Sequence, residues 1–314
     1  DLFGDTTLLD VLEAGQDIHC LTPDTPILTR DLRWIPAGSL RIGDSVVGFD
    51  EIVGFRQHRR LRDATVTYAG RKTLPVYRVT LSTGETYRCT GEHQWLATTK
   101  GNPAQHWVRT DELARRFVEW PSASVRLPRF VSPWFVPTYD GVEHDISYLA
   151  GFFDGEGFLS IRKNGSLLSS GKTINLGFAQ NPGPITEFVH AALKRLGFNF
   201  TTVCQSSGCI QTYIRGGLGE ILRFIGIVRP IRLLNTFLAW DISERTMKTG
   251  TKMRVCIVSV VEDGEAEVAT ISSSTKTYFA AGYGAHNTFA ARMMYPELDP
   301  ELDEWVWRQE HRDL

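Results

Sequence analysis

The tripeptide His286-Asn287-Thr288 carries three groups that can break and remake a peptide bond. The Asn287 side-chain amide can attack its own backbone carbonyl, closing a succinimide ring and cutting the chain after that residue. Both groups belong to one residue, so the attack is effectively unimolecular. His286 can protonate the departing nitrogen or polarise the carbonyl. The Thr288 hydroxyl can first accept an acyl group. Such a tripeptide is common by chance and gains meaning only from a matching nucleophile upstream. Cys20, which opens the stretch CLTPDTPILT, is that nucleophile. Thr90-Gly91-Glu92-His93 follows seventy residues later with a hydroxyl and an imidazole. Taken singly, Cys20 reads as an ordinary buried cysteine, and His93, beside Gln94-Trp95, as a core histidine.

The ordered set has a family likeness. Cys20 with its LTPDTPI run resembles the first block of an intein, a self-splicing protein insert. The run Ala37-Gly38-Ser39-Leu40-Arg41-Ile42-Gly43-Asp44 resembles its continuation, Thr90-x-x-His93 the second block, and Phe279 to Asn287 the last. The likeness spans residues 20–287. It implies an all-β Hint-type (horseshoe) splicing domain and a role for each residue. Cys20 attacks the carbonyl of His19, giving a thioester by an N-to-S shift. His93 supplies the proton for the leaving nitrogen, and Thr90 holds the bond or the oxyanion. Thr288 attacks the thioester, Asn287 cyclises with help from His286, and an O-to-N shift leaves His19 joined to Thr288. Splicing needs no cofactor. Two positions depart from the family pattern: Thr270 and Lys276 stand where an Asp and a His are common. Lys276 can still act as a cation near the intermediate, and Thr288 is a weaker nucleophile than Cys or Ser.

The elements that must position these groups follow from the hydrophobic pattern. Residues 20–121 alternate in short runs broken by Gly and Pro, which predicts a β-rich half, with a hairpin at Leu81-Ser82-Thr83-Gly84-Glu85-Thr86. The basic stretch from Arg56 to Lys72 reads as a solvated strand face or as a DNA contact. Residues 122–143, rich in Pro and Gly, read as a linker. Residues 144–250 change character: helical segments at HDISYLAGFFDG, ITEFVHAALKRLG and GEILRFIG alternate with two strand pairs, in the order αββαββα. Residues 251–287 return to strand.

Tyr148-Leu149-Ala150-Gly151-Phe152-Phe153-Asp154-Gly155-Glu156-Gly157 resembles the LAGLIDADG motif of homing endonucleases. The small residues let two such helices pack closely, and an acid at the helix end can hold a divalent metal against a phosphate. The likeness implies an inserted α/β endonuclease domain with Glu156, beside Gly155, as the Mg²⁺ ligand, and Asp154 as a cap of the helix end. Gln180 and Arg232 fall near the positions of the assisting Gln and Lys. A single motif implies a homodimer, packed through Leu149, Gly151 and Phe152, on double-stranded DNA. Such a domain that binds DNA without cutting is the alternative.

Composition frames these expectations. The 314 residues are 42% hydrophobic and 22% charged, enough for two modest cores. The net charge of −2 conceals acidic flanks around a basic insert; residues 144–250 hold eleven bases and seven acids. That excess fits phosphate contact only weakly. The five cysteines form no CxxC pair, so neither a zinc site nor a disulfide framework is indicated, and a reducing, cytoplasmic setting is expected. No run reaches membrane-spanning length, so no membrane partner is expected. Residues 1–19 and 288–314 read as acidic helical fragments. Joined across the insert, they resemble a segment of family A DNA polymerases, chiefly in Asp17-Ile18-His19 followed by Thr288. A hedgehog-type domain that only cleaves is the competing class, and the acceptor Thr288 argues against it.

Overall fold

The computed structural model describes residues 20–52, 59–99, 102–120, 124–163, 172–244, 246–247 and 254–286. Asn287, Thr288, both acidic flanks and residues 56–58 of the basic stretch lie outside them.

The first half holds strands β1 (Pro26–Leu28), β2 (Trp34–Pro36), β3 (Ser45–Phe49), β4 (Arg59–Leu81), β5 (Thr86–Cys89), β6 (Gln94–Thr99) and β7 (Asn102–Arg109). Helix α1 (Thr110–Glu119) and strand β8 (Val125–Pro128) follow. The expected hairpin joins β4 to β5, with Gly84 at φ 85° and the Leu81 N–H on the Glu85 carbonyl at 2.9 Å. Two features differ from expectation. Residues 110–119 are helical, opened by Asp111 and Glu112 in the first turn, where acids favour a helix N-terminus. Residues 125–128, read as linker, pair with β6 and β14 (Arg254–Ser273).

After α2 (Val142–Gly155) come β9 (Gly157–Lys163), β10 (Lys172–Gln180), α3 (Pro184–Arg195), β11 (Phe200–Cys204), β12 (Ile210–Ile214), α4 (Gly217–Val228) and α5 (Ile231–Leu238). The expected αββαββα order is present with α5 added at its end. The four strands form a separate antiparallel sheet in the order β11-β12-β10-β9. Strand β13 (Thr246–Met247), β14, β15 (Thr277–Ala280) and β16 (Tyr283–His286) then return to the large sheet.

That sheet has twelve strands, with the path β13-β4-β14-β8-β6-β16-β15-β1-β2 and β3, β5 and β7 beside it. Its spine is the long antiparallel pair β4 and β14, which runs from Leu81↔Ile257 to Val66↔Ser273 with three register shifts. Gly264 sits at φ 67° inside a register shift between Glu262 and Glu265. A bulge of this kind bends a strand without ending it.

One apolar cluster runs from the large sheet into the α/β unit, joining Leu32, Phe49 and Trp134 to Leu149, Phe153 and Phe224. Polar contacts reinforce it. The Arg30 guanidinium donates to the carbonyls of Phe237, Leu238 and Trp240, the closest at 3.0 Å, and pairs with Asp63. Arg229 reaches the Asp31 carbonyl at 3.0 Å and its carboxylate at 3.1 Å. At Gly226 a Cβ would lie 2.6 Å from the Trp134 ring, so only glycine allows this approach.

Candidate active site

Residue 20 is threaded between two strands that are remote in sequence. Leu21 bridges Cys89 at the end of β5 on one side and Ala269 of β14 on the other. Cys20 is fully buried. Its backbone N–H donates to Thr90 Oγ1 at 3.0 Å, and its carbonyl accepts from the Thr90 N–H at 3.1 Å. Thr90 therefore holds the backbone of residue 20 at two points. Cys20 Sγ lies 3.4 Å from Thr270 Oγ1. The departure from the common Asp thus still places a polar group on the sulfur.

His93 belongs to the same turn as Thr90, through its N–H on the Thr90 carbonyl at 3.2 Å. It is fully buried, edge-on to Trp95 with ring centroids 4.9 Å apart. Thr110, at the start of α1, fixes this turn. Its hydroxyl donates to the His93 carbonyl at 3.0 Å, accepts from Trp95 Nε1 at 3.0 Å, and lies 3.3 Å from Cys89 Sγ. Burial pushes the Cys89 thiol up to about 12, so it stays protonated at neutral pH.

The C-terminal half of the site arrives on β16. Ala285 and Trp95 are Cα partners, so the strand ending at His286 runs beside the strand that begins one residue after His93. Tyr283 secures β16 by donating to Glu85 at 3.2 Å beneath Arg129. His286 Nε2 lies 2.8 Å from Glu51 Oε1, and the ring meets Trp107 edge-on at 4.9 Å. Lys276 Nζ lies 3.2 Å from the other Glu51 oxygen. Glu51 and Thr110 were invisible to sequence reasoning, because neither belongs to a motif and both act across long sequence separations.

The LAGLIDADG-like residues are spread around the end of α2. Glu156 and Gly155 are exposed. Asp154 caps α5, accepting from the Ile231 N–H at 3.0 Å and the Arg232 N–H at 2.8 Å. The Arg232 guanidinium donates to the carbonyls of Phe153, Asp154 and Gly157, which engages it as a clamp on the end of α2. Gln180 Oε1 accepts from the Asn181 N–H at 2.9 Å. Leu149, expected at a dimer face, is instead fully buried in its own unit, because its side of α2 faces the core. Glu143, Ser147, Gly151 and Gly155 are exposed at helical spacing along α2. A carboxylate and a neighbouring backbone carbonyl are suitable donors for a hard cation such as Mg²⁺, which also draws on substrate phosphates. Among the described residues no group of three or more His, Cys, Asp or Glu gathers to hold a metal unaided. No helix among them is long and apolar enough to cross a membrane.

Compared with known proteins, the sequence matches no family model and no curated protein. Inteins are among the solved structures that it is similar to. The DnaB intein from Synechocystis sp. PCC 6803 matches over 86% of this chain and 99% of its own, with 13% identity and a TM-score of 0.36. The gp41-1 intein gives 85%, 98%, 10% and 0.31, and the MchDnaB-1 intein 85%, 99%, 12% and 0.29. Similarity at this level assigns neither a residue's role nor an activity.

Proposed function

We propose that residues 20–287 are an intein that cuts itself out and joins His19 to Thr288. The observation that carries this is the grip on Cys20. Thr90 Oγ1 accepts from the one nitrogen that must leave in an N-to-S shift. In that step a Cys20 Sγ–acyl bond forms, the His19–Cys20 amide breaks, and the amine gains a proton. Thr270 Oγ1 is close enough to share the thiol proton, and His93 lies in the Thr90 turn as proton donor. Thr288 then takes the acyl group, and Asn287 closes on its own carbonyl with His286 as proton carrier.

Mass spectrometry of the expressed chain tests this. It should find residues 20–287 ending in succinimide or Asn, and residues 1–19 fused to 288–314. Separate flanks with no fused product would instead select a domain that only cleaves. A Cys20→Ala, Asn287→Ala chain that still loses both flanks would refute the scheme.

The α/β unit extends the proposal as a homing endonuclease acting on double-stranded DNA as a homodimer. Its αββαββα order and the exposed Glu156 at the end of α2 support this. The exposed Ser147, Gly151 and Gly155 are the residues on which two α2 helices would meet. A Mg²⁺ ion held by Glu156 and Gly155 would supply charge stabilisation at the phosphate. The clamp role of Arg232 favours the second reading, a unit that binds DNA without cutting. The flanks then belong to the host protein, for which the family A polymerase likeness is the proposed identity.

A further inference from the structure

We infer that Glu51 is a positioning residue for His286, with Lys276 as its brace, and so sets the rate of C-terminal cleavage at Asn287. The inference rests on the splicing proposal above. Each carboxylate oxygen has its own partner: His286 Nε2 at 2.8 Å on one, Lys276 Nζ at 3.2 Å on the other. Two partners on opposite oxygens pin the plane of the carboxylate. The peptide beneath it is also held, since Arg59 donates to the carbonyls of Asp50 and Glu51. Trp107 blocks rotation of the imidazole from the side.

Burial opposes ionisation of Glu51, but His286 and Lys276 outweigh it and hold the carboxyl below its ordinary range. Glu51 is therefore an anion at neutral pH. Lys276 occupies the left-handed region, at φ 61°, in the turn before β15. That conformation is strained for a residue with a side chain. It is stabilised here by the Lys276 N–H on the Ser273 carbonyl at 3.0 Å, and it delivers the ammonium to Glu51.

A carboxylate on Nε2 keeps the proton on that nitrogen in the neutral ring and leaves Nδ1 as the basic atom. Nδ1 is then the nitrogen through which protons pass during cyclisation. In that step Asn287 Nδ2 bonds to its own carbonyl carbon, and the bond from that carbon to the Thr288 nitrogen breaks. One proton leaves Nδ2 and one reaches the departing nitrogen, so a single imidazole balances the exchange.

The test separates the two ends of the reaction in the full-length chain. A Cys20→Ala background reads release of residues 288–314 alone; an Asn287→Ala background reads thiol-induced release of residues 1–19 alone. Glu51→Gln, which keeps the shape, should slow C-terminal release by about 10- to 100-fold, a fraction of the roughly 10²–10⁴-fold that a whole general acid–base supplies. Thiol release should be unaffected, and Glu51→Asp should recover part of the loss. In the Asn287→Ala chain, the ¹⁵N shifts of His286 should report an Nε2–H ring that changes tautomer in Glu51→Gln. C-terminal release at the native rate in Glu51→Gln overturns the inference. So does equal slowing at both ends with a lowered melting temperature, which marks a structural ion pair only. If residues 288–314 are not released even with native Glu51, the splicing proposal fails. The ¹⁵N shifts still decide whether Glu51 governs the ring, and identical shifts in Glu51→Gln overturn the inference on their own.

Discussion

Replacing Thr90 by valine should slow thioester formation at Cys20 without unfolding the chain. Valine keeps the β-branched shape of a side chain that is 2% exposed, so packing is preserved. What is lost is the hydroxyl at 3.0 Å from the Cys20 nitrogen. The bond from the Thr90 N–H to the Cys20 carbonyl remains, because it uses only backbone. In the ground state the hydroxyl accepts from the amide. A hydroxyl can also rotate to donate, so it can follow that nitrogen as it becomes an amine. Valine can do neither. A buried hydrogen-bonding group deprived of its partner costs about 1–3 kcal/mol. The rate responds only to the bond that the hydroxyl makes to the leaving amine and not to the amide; a loss of about 1–3 kcal/mol there is about 5- to 150-fold in rate, at 1.36 kcal/mol per decade. The assay is thiol-induced release of residues 1–19 from the Asn287→Ala chain, followed by intact mass against time. Native-rate release from Thr90→Val, in a chain of native melting temperature, would show that Thr90 does not act on the scissile nitrogen.

Thiol labelling of folded Asn287→Ala protein should modify the exposed Cys204 first and leave the fully buried Cys20 and Cys89 unlabelled; peptide mapping that finds Cys89 labelled early would contradict the packing around Thr110. Arg195→Ala removes both bonds to the buried Asp145 carboxylate, each 2.7 Å, and should cost about 1–3 kcal/mol by urea melts, less than a fully buried pair because Arg195 is half-exposed. The Arg195 bonds, helped by Tyr139, hold the Asp145 carboxyl below its ordinary range. The stabilisation is therefore complete above the unfolded value of about 3.9 and disappears as pH falls through the lower folded value. A variant deficit that persists unchanged below that window would be inconsistent with this pairing. Glu156→Gln should abolish cutting of DNA encoding the joined flanks yet spare binding, since phosphate contacts supply affinity; wild-type dimers that bind with Mg²⁺ and never cut would select the non-cutting reading.

The motif residues near Cys20 were legible because they recur in order along the chain. Their three-dimensional grouping was not. Thr270 looked like a defect in the family pattern, yet its hydroxyl touches the Cys20 sulfur. Glu51 lies 235 positions from His286, and no periodicity reports a contact made by the closing of a sheet. Helix α5 leaves little trace in the sequence because it is short, starts directly after Pro230, and shows its buried face through only Leu233 and Phe237. A glycine in a strand pattern signals a break or a bulge equally well, and at Gly264 the pairing with β4 decides for the bulge. Strand β8 hid among prolines and glycines because Val125 and Leu127 alone carry its buried face.

The pairing of β4 with β14 also sets a clock. Cys20 leaves the ribosome ahead of the strand that flanks it and the hydroxyl on its sulfur, which come from residues 269 and 270, some 250 positions later. At roughly 5–20 residues per second, translation needs on the order of 10–50 s to cover that distance. Until then the nascent chain holds a cysteine with half of its surroundings missing. Glu51 likewise waits for Lys276 and His286, which are made later still. An incomplete polypeptide therefore lacks the assembled surroundings of Cys20 and His286 on which the proposed splicing depends.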